Sequence, residues 1–120
     1  MNDCKKIILI VEDEEDLREF FKESLTSFGY EVFASSNGKA ALETLQAGLS
    51  PNVIISDLMM PEMNGWEFAQ ALRESTKFNQ IPLIIVSALI DKSPPENSRC
   101  CVAKPFKLNE LLQSIEKYVS

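Results

Sequence analysis

The sequence predicts an α/β domain, a doubly wound five-stranded parallel sheet, and three observations carry that prediction. Short apolar runs rich in Ile and Val recur along the chain. Amphipathic helical patterns fall between them, and Gly or Asn punctuates the joins. Strand and helix therefore alternate, which requires crossovers of one hand and places helices on both faces of the sheet. A length of 120 residues, 45% hydrophobic and 25% charged, suits one domain over 1–120. No linker, repeat or low-complexity stretch leaves room for an attached output domain within that span.

The elements follow in order. The apolar runs are Ile7 to Val11, Tyr30 to Ala34, Val53 to Ser56, Leu83 to Val86 and a weaker fifth at Cys100 to Ala103. Three of them are nearly continuous, as expected for parallel strands buried on both faces. Leu17, Phe20, Phe21, Leu25 and Phe28 repeat at helical spacing before Gly29. Asn37 is placed to cap a second helix carrying Ala41, Leu42 and Leu45 ahead of Gly48. Asn64 is placed to cap a third that turns Phe68, Ala69 and Leu72 inward, and the last helix buries Leu108, Leu111, Leu112, Ile115 and Val119.

Composition excludes several functions. A formal charge of −6 gives no general electrostatic pull toward nucleic acid or anionic membrane. No apolar run approaches the ~20 residues that span a bilayer, and the N-terminal run stops at Glu12, too short for a secretory signal. The three cysteines, Cys4, Cys100 and Cys101, fit neither a disulfide framework nor zinc spacing, so a cytoplasmic protein is expected. The chain has no histidine, which removes Ser-His-Asp triads, Cys-His dyads and His-ligated zinc.

Ligands of open α/β sheets bind outside the carboxyl ends of the strands. The first strand ends in Glu12-Asp13, the third in Asp57, the fourth in Ser87 and the fifth in Lys104-Pro105. Each residue taken singly suits a solvated loop, a turn or a helix cap, Asp13 included. Together they differ, because three carboxylates converging on one pocket repel by roughly 4 kcal/mol per pair at a surface-like dielectric. Hard oxygen donors without histidine or clustered thiols point to Mg²⁺ as the neutralising cation, and Mg²⁺ so bound commonly holds a phosphate. Asp57 is then a carboxylate nucleophile for a phosphorus centre, with Lys104 and Ser87 stabilising charge on the transferring group. The nucleophile needs no general base, so the absence of histidine fits a donor whose own histidine sits on another protein.

These residues carry a resemblance. Glu12-Asp13, Asp57-Leu58-Met59-Met60-Pro61 with Asn64-Gly65, Ser87-Ala88 and Lys104-Pro105-Phe106 resemble the receiver domain of bacterial two-component response regulators, the CheY-like family. The resemblance covers essentially the whole chain. It implies a (βα)5 flavodoxin-like fold with sheet order 2-1-3-4-5. It implies Asp57 as phosphoacceptor, Mg²⁺ on Asp13, Asp57 and the Met59 carbonyl, and Glu12 acting through a metal-bound water. It implies Ser87 as the hydroxyl that swings toward the phosphoryl group, Lys104 as the ion-pair partner of that group, and a cis Lys104–Pro105 bond. The implied partners are a sensor histidine kinase or phosphotransfer protein and a downstream protein, with no enzymatic activity beyond its own phosphorylation and dephosphorylation.

Two departures stand out. The connection Ala88 to Arg99 is short and holds Pro94-Pro95, so a shortened or missing fourth helix is expected, with Asp91 to Arg99 poorly ordered or forming a single turn at most. Cys101 stands where relatives carry an aromatic ring and reads as a small buried strand residue. The resemblance places Met59 and Leu89 beside the path of a hydrolytic water, and both are apolar, which predicts a long-lived phosphorylated form. Two alternatives compete with a stand-alone receiver. A pseudo-receiver would bind its partner without phosphorylation. An aspartyl-phosphate phosphohydrolase would need a second acid where Met59 stands.

Overall fold

Strands buried on both faces need apolar residues at every position, and Val53–Ser56 and Leu83–Ser87 are buried throughout. In the computed structural model, which describes residues 5–88 and 93–119, they are the third and fourth strands of one parallel sheet. β1 (Ile7–Val11), β2 (Glu31–Ser35), β3 (Val53–Ser56), β4 (Leu83–Ser87) and β5 (Cys100–Ala103) lie in the order β2-β1-β3-β4-β5. The order expected from the family resemblance is the one observed. β2 and β5 are the edges and alternate between exposed and half-buried positions, except for the buried Ser35 that ends β2.

Two helices cover each face. α1 (Glu15–Ser27) and α4 (Leu108–Tyr118) pack Phe21, Leu25, Leu111 and Ile115 against Ile8, Ile10, Ile55 and Val86. On the other face α2 (Gly38–Gln46) and α3 (Gly65–Glu74) pack Leu45, Phe68 and Leu72 against Leu9, Val11, Ile54 and Ile85. Asn37 Oδ1 accepts from the Ala40 amide at 2.8 Å, capping α2. Asn64 and Glu67 cap each other's backbone at the start of α3, both at 2.9 Å. No helix among the described residues is long and apolar enough to cross a membrane.

The second strand starts one residue later than the apolar run suggests. α1 closes with Gly29 at φ 96°, its amide on Thr26 O and the Tyr30 amide on Leu25 O. This paired closure uses up Tyr30, so pairing with β1 begins at Glu31, whose amide bonds Lys6 O at 2.9 Å. The apolar stripe of α1 is also narrower than its spacing suggests. Phe20 lies at its edge and Phe28 at the helix C-cap, and both are exposed.

Between β4 and β5 the described residues contain no helix. Pro95 is buried, and one turn closes with the Ser98 amide and hydroxyl on Pro95 O at 3.0 and 2.6 Å. Leu89 and Asp91 lie outside the described residues. The described part of the segment, residues 93–99, is fastened to α3. Trp66 Nε1 donates to Ser93 O at 3.0 Å, and Asn97 Nδ2 donates to Ala69 O at 3.0 Å. Cys101 corrects the expectation of a buried residue, because it is exposed. Cys100 and Val102 face the α1/α4 core, whereas Cys101 and Ala103 alternate onto the face where a fourth crossover helix would lie. Without such a helix among the described residues, that end of the sheet stays open.

Candidate functional site at the carboxyl edge of the sheet

Three of the predicted residues occupy equivalent backbone positions, each the first residue after a strand. The Glu12 amide donates to Ser35 O of β2 at 3.0 Å, and the Asp57 amide to Val11 O of β1 at 3.0 Å. The Lys104 amide donates to Ser87 O of β4 at 2.9 Å. The sheet ladder thus runs one rung past the strands and pins each functional residue to its neighbour. Register does the rest: Val11 pairs with both Ser35 and Ser56, so Glu12 and Asp57 emerge side by side. The switch in strand order lies between β1 and β3, where ligand crevices form in such sheets.

Asp57 is held on every side. Its Oδ1 accepts from the Leu58 amide at 2.6 Å and the Met59 amide at 3.4 Å, and its carbonyl accepts from Ser56 Oγ at 2.8 Å. Its Oδ2 accepts from Lys104 Nζ at 2.9 Å, and the same ammonium reaches Glu12 Oε1 at 3.3 Å. The β3–α3 loop folds back tightly, with the Gly65 amide on Leu58 O at 2.8 Å. The Lys104–Pro105 bond is cis. Beyond it, Phe106 stacks on Phe21 at 5.8 Å between ring centroids, which ties the turn carrying Lys104 to α1.

The electrostatics follow from burial. Glu12 is pushed up to about 7, mainly by burial, with the Asp57 charge adding to it. The Glu14 amide on Glu12 Oε2, at 3.1 Å, and the Lys104 charge oppose that rise in part. Burial disfavours the charged form of Lys104, but its bonds and charge contacts with Asp57 and Glu12 outweigh this and raise it above the usual lysine value. Lys104 is therefore a fixed cation between two acids.

Carboxylate oxygens of Glu12, Asp13 and Asp57 all lie within 4.8 Å of one another. Glu12 and Asp57 are buried and Asp13 is exposed. An all-oxygen donor set with one water-facing acid fits Mg²⁺, which keeps several waters and takes one or two carboxylates. The structure brings Glu12, Asp13, Asp57 and Lys104 together. Ser87 is buried at the end of β4, between the strands that lead to Asp57 and Lys104. Met59 is on the loop after Asp57, with its side chain 59% exposed. Sequence reasoning missed Arg18, whose Nη1 donates to the carbonyls of Glu12 at 2.9 Å and Asp13 at 3.4 Å. It also missed the backbone contact at Gly65. Neither has a sequence signal beyond an ordinary helix residue and a common glycine.

The family model described as the response regulator receiver domain matches residues 8–116. The sensor histidine kinase TmoS of Ectopseudomonas mendocina is 35% identical over 118 residues, covering 94% of this chain and 12% of TmoS. The polar-differentiation response regulator DivK of Brucella anthropi is 29% identical over 119 residues, covering 95% of this chain and 96% of DivK. The solved structure of the response regulator TrrA of Thermotoga maritima, in complex with Mg²⁺ and BeF, is 31% identical with a TM-score of 0.83. That likeness covers 94% of this chain and 98% of TrrA. The chain spans between 8% and 45% of the length of the first three curated relatives it matches.

Proposed function

The chain belongs to the response regulator receiver domain family, and on that premise we propose that it is a phosphorylation-controlled signalling module whose phosphoacceptor is Asp57. The observation that carries this reading is the Lys104 ammonium lodged between Asp57 Oδ2 and Glu12 Oε1 beside a three-acid cluster. In the proposed transfer, a carboxylate oxygen of Asp57 forms a bond to phosphorus as the phosphorus–nitrogen bond of a phosphohistidine breaks. The imidazole leaves with the bonding pair, and the chain's lack of histidine requires the donor to be a separate histidine-bearing segment. Lys104 transfers its contact from Asp57 Oδ2 to a phosphoryl oxygen, and the Ser87 hydroxyl takes another. The residues that would hold Mg²⁺ are Asp13, Asp57 and the Met59 carbonyl, with Glu12 reached through water; when bound, the ion supplies charge neutralisation for the phosphoryl oxygens.

The donor is a sensor histidine kinase or a phosphotransfer protein. An apolar groove of about 420 Å³, lined by Leu17, Phe20, Ala88, Pro105, Phe106 and Leu108, opens beside Lys104 and suits that contact. Phosphorylation then alters affinity for a downstream protein, and the site works in the cytoplasm as a single domain.

Acetyl phosphate and Mg²⁺ followed by intact mass spectrometry test this reading. One phosphoryl adduct is expected on the wild type and none on Asp57→Asn. A full adduct on Asp57→Asn, mapped to another native residue, refutes the assignment. A wild type that takes no adduct leaves the pseudo-receiver. A phosphohydrolase is disfavoured by Met59, which supplies no acid or base two residues after Asp57.

A further inference from the structure

We propose that Arg18 is a positioning residue for the metal-binding acids, holding the backbone on both sides of Asp13; the inference rests on the reading above. The start of α1 is unusual. Its N-cap, Glu14, makes no side-chain capping bond. The Glu12 carboxylate accepts from the Glu14 amide in its place. One turn into the helix, Arg18 sends Nη1 back to the carbonyl of Glu12 at 2.9 Å and that of Asp13 at 3.4 Å. Those two carbonyls belong to the peptide planes that flank the Asp13 Cα. A trans peptide is planar, so fixing both planes fixes φ and ψ of Asp13 and hence the direction of its side chain.

The Glu14 amide on Glu12 Oε2 also holds the second of these planes, but no contact of the Asp13 side chain itself adds to the restraint. Its side chain is exposed, and it makes no hydrogen bond or ion pair among the described residues. Glu12 and Asp57, by contrast, are each tied to Lys104 and to backbone amides. Of the three clustered acids, Asp13 alone depends on its backbone for aim. Residues that orient ligands without touching the metal typically contribute about tenfold or more in affinity.

Charge and positioning predict opposite signs, which makes the inference decidable. Arg18 is a cation near a dication site, so removing its charge alone would tighten Mg²⁺ binding. Removing its bonds to the two carbonyls would weaken it. The test is an NMR titration of the unphosphorylated protein with MgCl₂ at fixed ionic strength, following the amides of Asp13 and Glu14. Arg18→Met and Arg18→Gln keep a helix-forming side chain but remove the charge and fall short of the two carbonyls, and Arg18→Lys keeps the charge and N–H donors. Unfolding midpoints confirm that each variant is folded. The expected result is a Kd for Mg²⁺ raised about tenfold in Arg18→Met and in Arg18→Gln, with Arg18→Lys within about twofold of wild type. Neutral variants that bind Mg²⁺ as tightly as the wild type, or more tightly, overturn the role of Arg18 while leaving the proposed function intact. A wild type whose amides do not respond to Mg²⁺ overturns both.

Discussion

Replacing Gly65 by Ala should disturb both the stability and the chemistry of the molecule, because the first residue of α3 presses on the backbone that carries Asp57. A Cβ at Gly65 would lie 2.5 Å from the Asp57 carbonyl oxygen, 2.7 Å from the Leu58 Cα and 2.9 Å from the Leu58 Cδ2. The first two are backbone atoms and cannot rotate away. Nor can Gly65 withdraw freely, since its amide is bonded to Leu58 O at 2.8 Å. Overpacking of this kind costs about 1–3 kcal/mol, and a lost backbone bond adds about 1 kcal/mol. The better helix propensity of Ala returns at most about 1 kcal/mol. A net loss of about 1–3 kcal/mol corresponds to a Tm lower by roughly 4–15 °C in a chain of this length. The same shift moves the Asp57 carboxylate relative to Lys104, so labelling by acetyl phosphate should slow several-fold, given that a ~1 Å misplacement costs ~100-fold. Gly38→Ala is the comparison. Its Cβ would meet Phe68 Cβ at 2.9 Å and the Met63 side chain at 3.0 Å, of which the flexible Met63 can yield. It should lose less stability and label at the wild-type rate. Thermal unfolding and intact-mass time courses decide the matter. A Gly65→Ala protein with a Tm within about 1 °C of wild type and an unchanged labelling rate refutes the reasoning.

Glu12 makes the metal-free protein pH-sensitive. It titrates near 4.5 when unfolded and near 7 when folded, so the folded state holds the extra proton over that window. Its contribution to stability is full below the lower value, is lost as pH rises through about 7, and amounts to about 1–3 kcal/mol. Urea unfolding of Glu12→Gln without Mg²⁺ should show this slope removed and greater stability than wild type above neutrality, whereas an identical slope in both proteins contradicts the assignment. Lys104→Met removes the cation between the two acids, pushes Glu12 further up and should slow labelling by about 100-fold or more while Mg²⁺ binding persists; labelling at the wild-type rate would exclude a role in stabilising the transferred group. Met59, apolar and exposed on the loop after Asp57, offers no hydrogen bond to a water that would hydrolyse the proposed phosphoryl adduct. Met59→Asn should shorten the lifetime of the phosphorylated form about tenfold, a difference of about 1.4 kcal/mol. Decay of the adduct in Mg²⁺ buffer measures this, and equal decay rates mean that the side chain does not set the lifetime.

The acids and the lysine were legible because they follow strands whose apolar runs have sharp ends. Val11, Ser56 and Ala103 close their strands at the positions read from the sequence, and the next residues inherit the sheet's register. The Asn caps of α2 and α3 were legible for a similar reason, since a cap is a local property of three or four residues. What escaped depends on packing between distant segments. The contact of Gly65 with Asp57 exists only once the β3–α3 loop folds back. Arg18 looks like any polar residue on a helix until the bonds to Glu12 and Asp13 are seen. Phe20 and Phe28 fit an apolar repeat, yet exposure depends on how far α4 and the Phe106 ring extend over α1, and periodicity does not encode that.

Cys101 separates the two kinds of information most clearly. Its place on β5 was readable, and so was the absence of a helix among the described residues around Pro94-Pro95, but burial was inferred from residue type when it is set by what lies overhead. The two facts are one: the crossover that would cover Cys101 is fastened beside α3 through Trp66 and Asn97. The acids and the lysine of the candidate site take their alignment from the sheet. Glu12, Asp57 and Lys104 are each pinned by an amide bond to the neighbouring strand, and Lys104 is set further by Phe106 against Phe21 on the opposite face. The rungs that align these acids and the lysine lie within the sheet itself, not in the connection between β4 and β5.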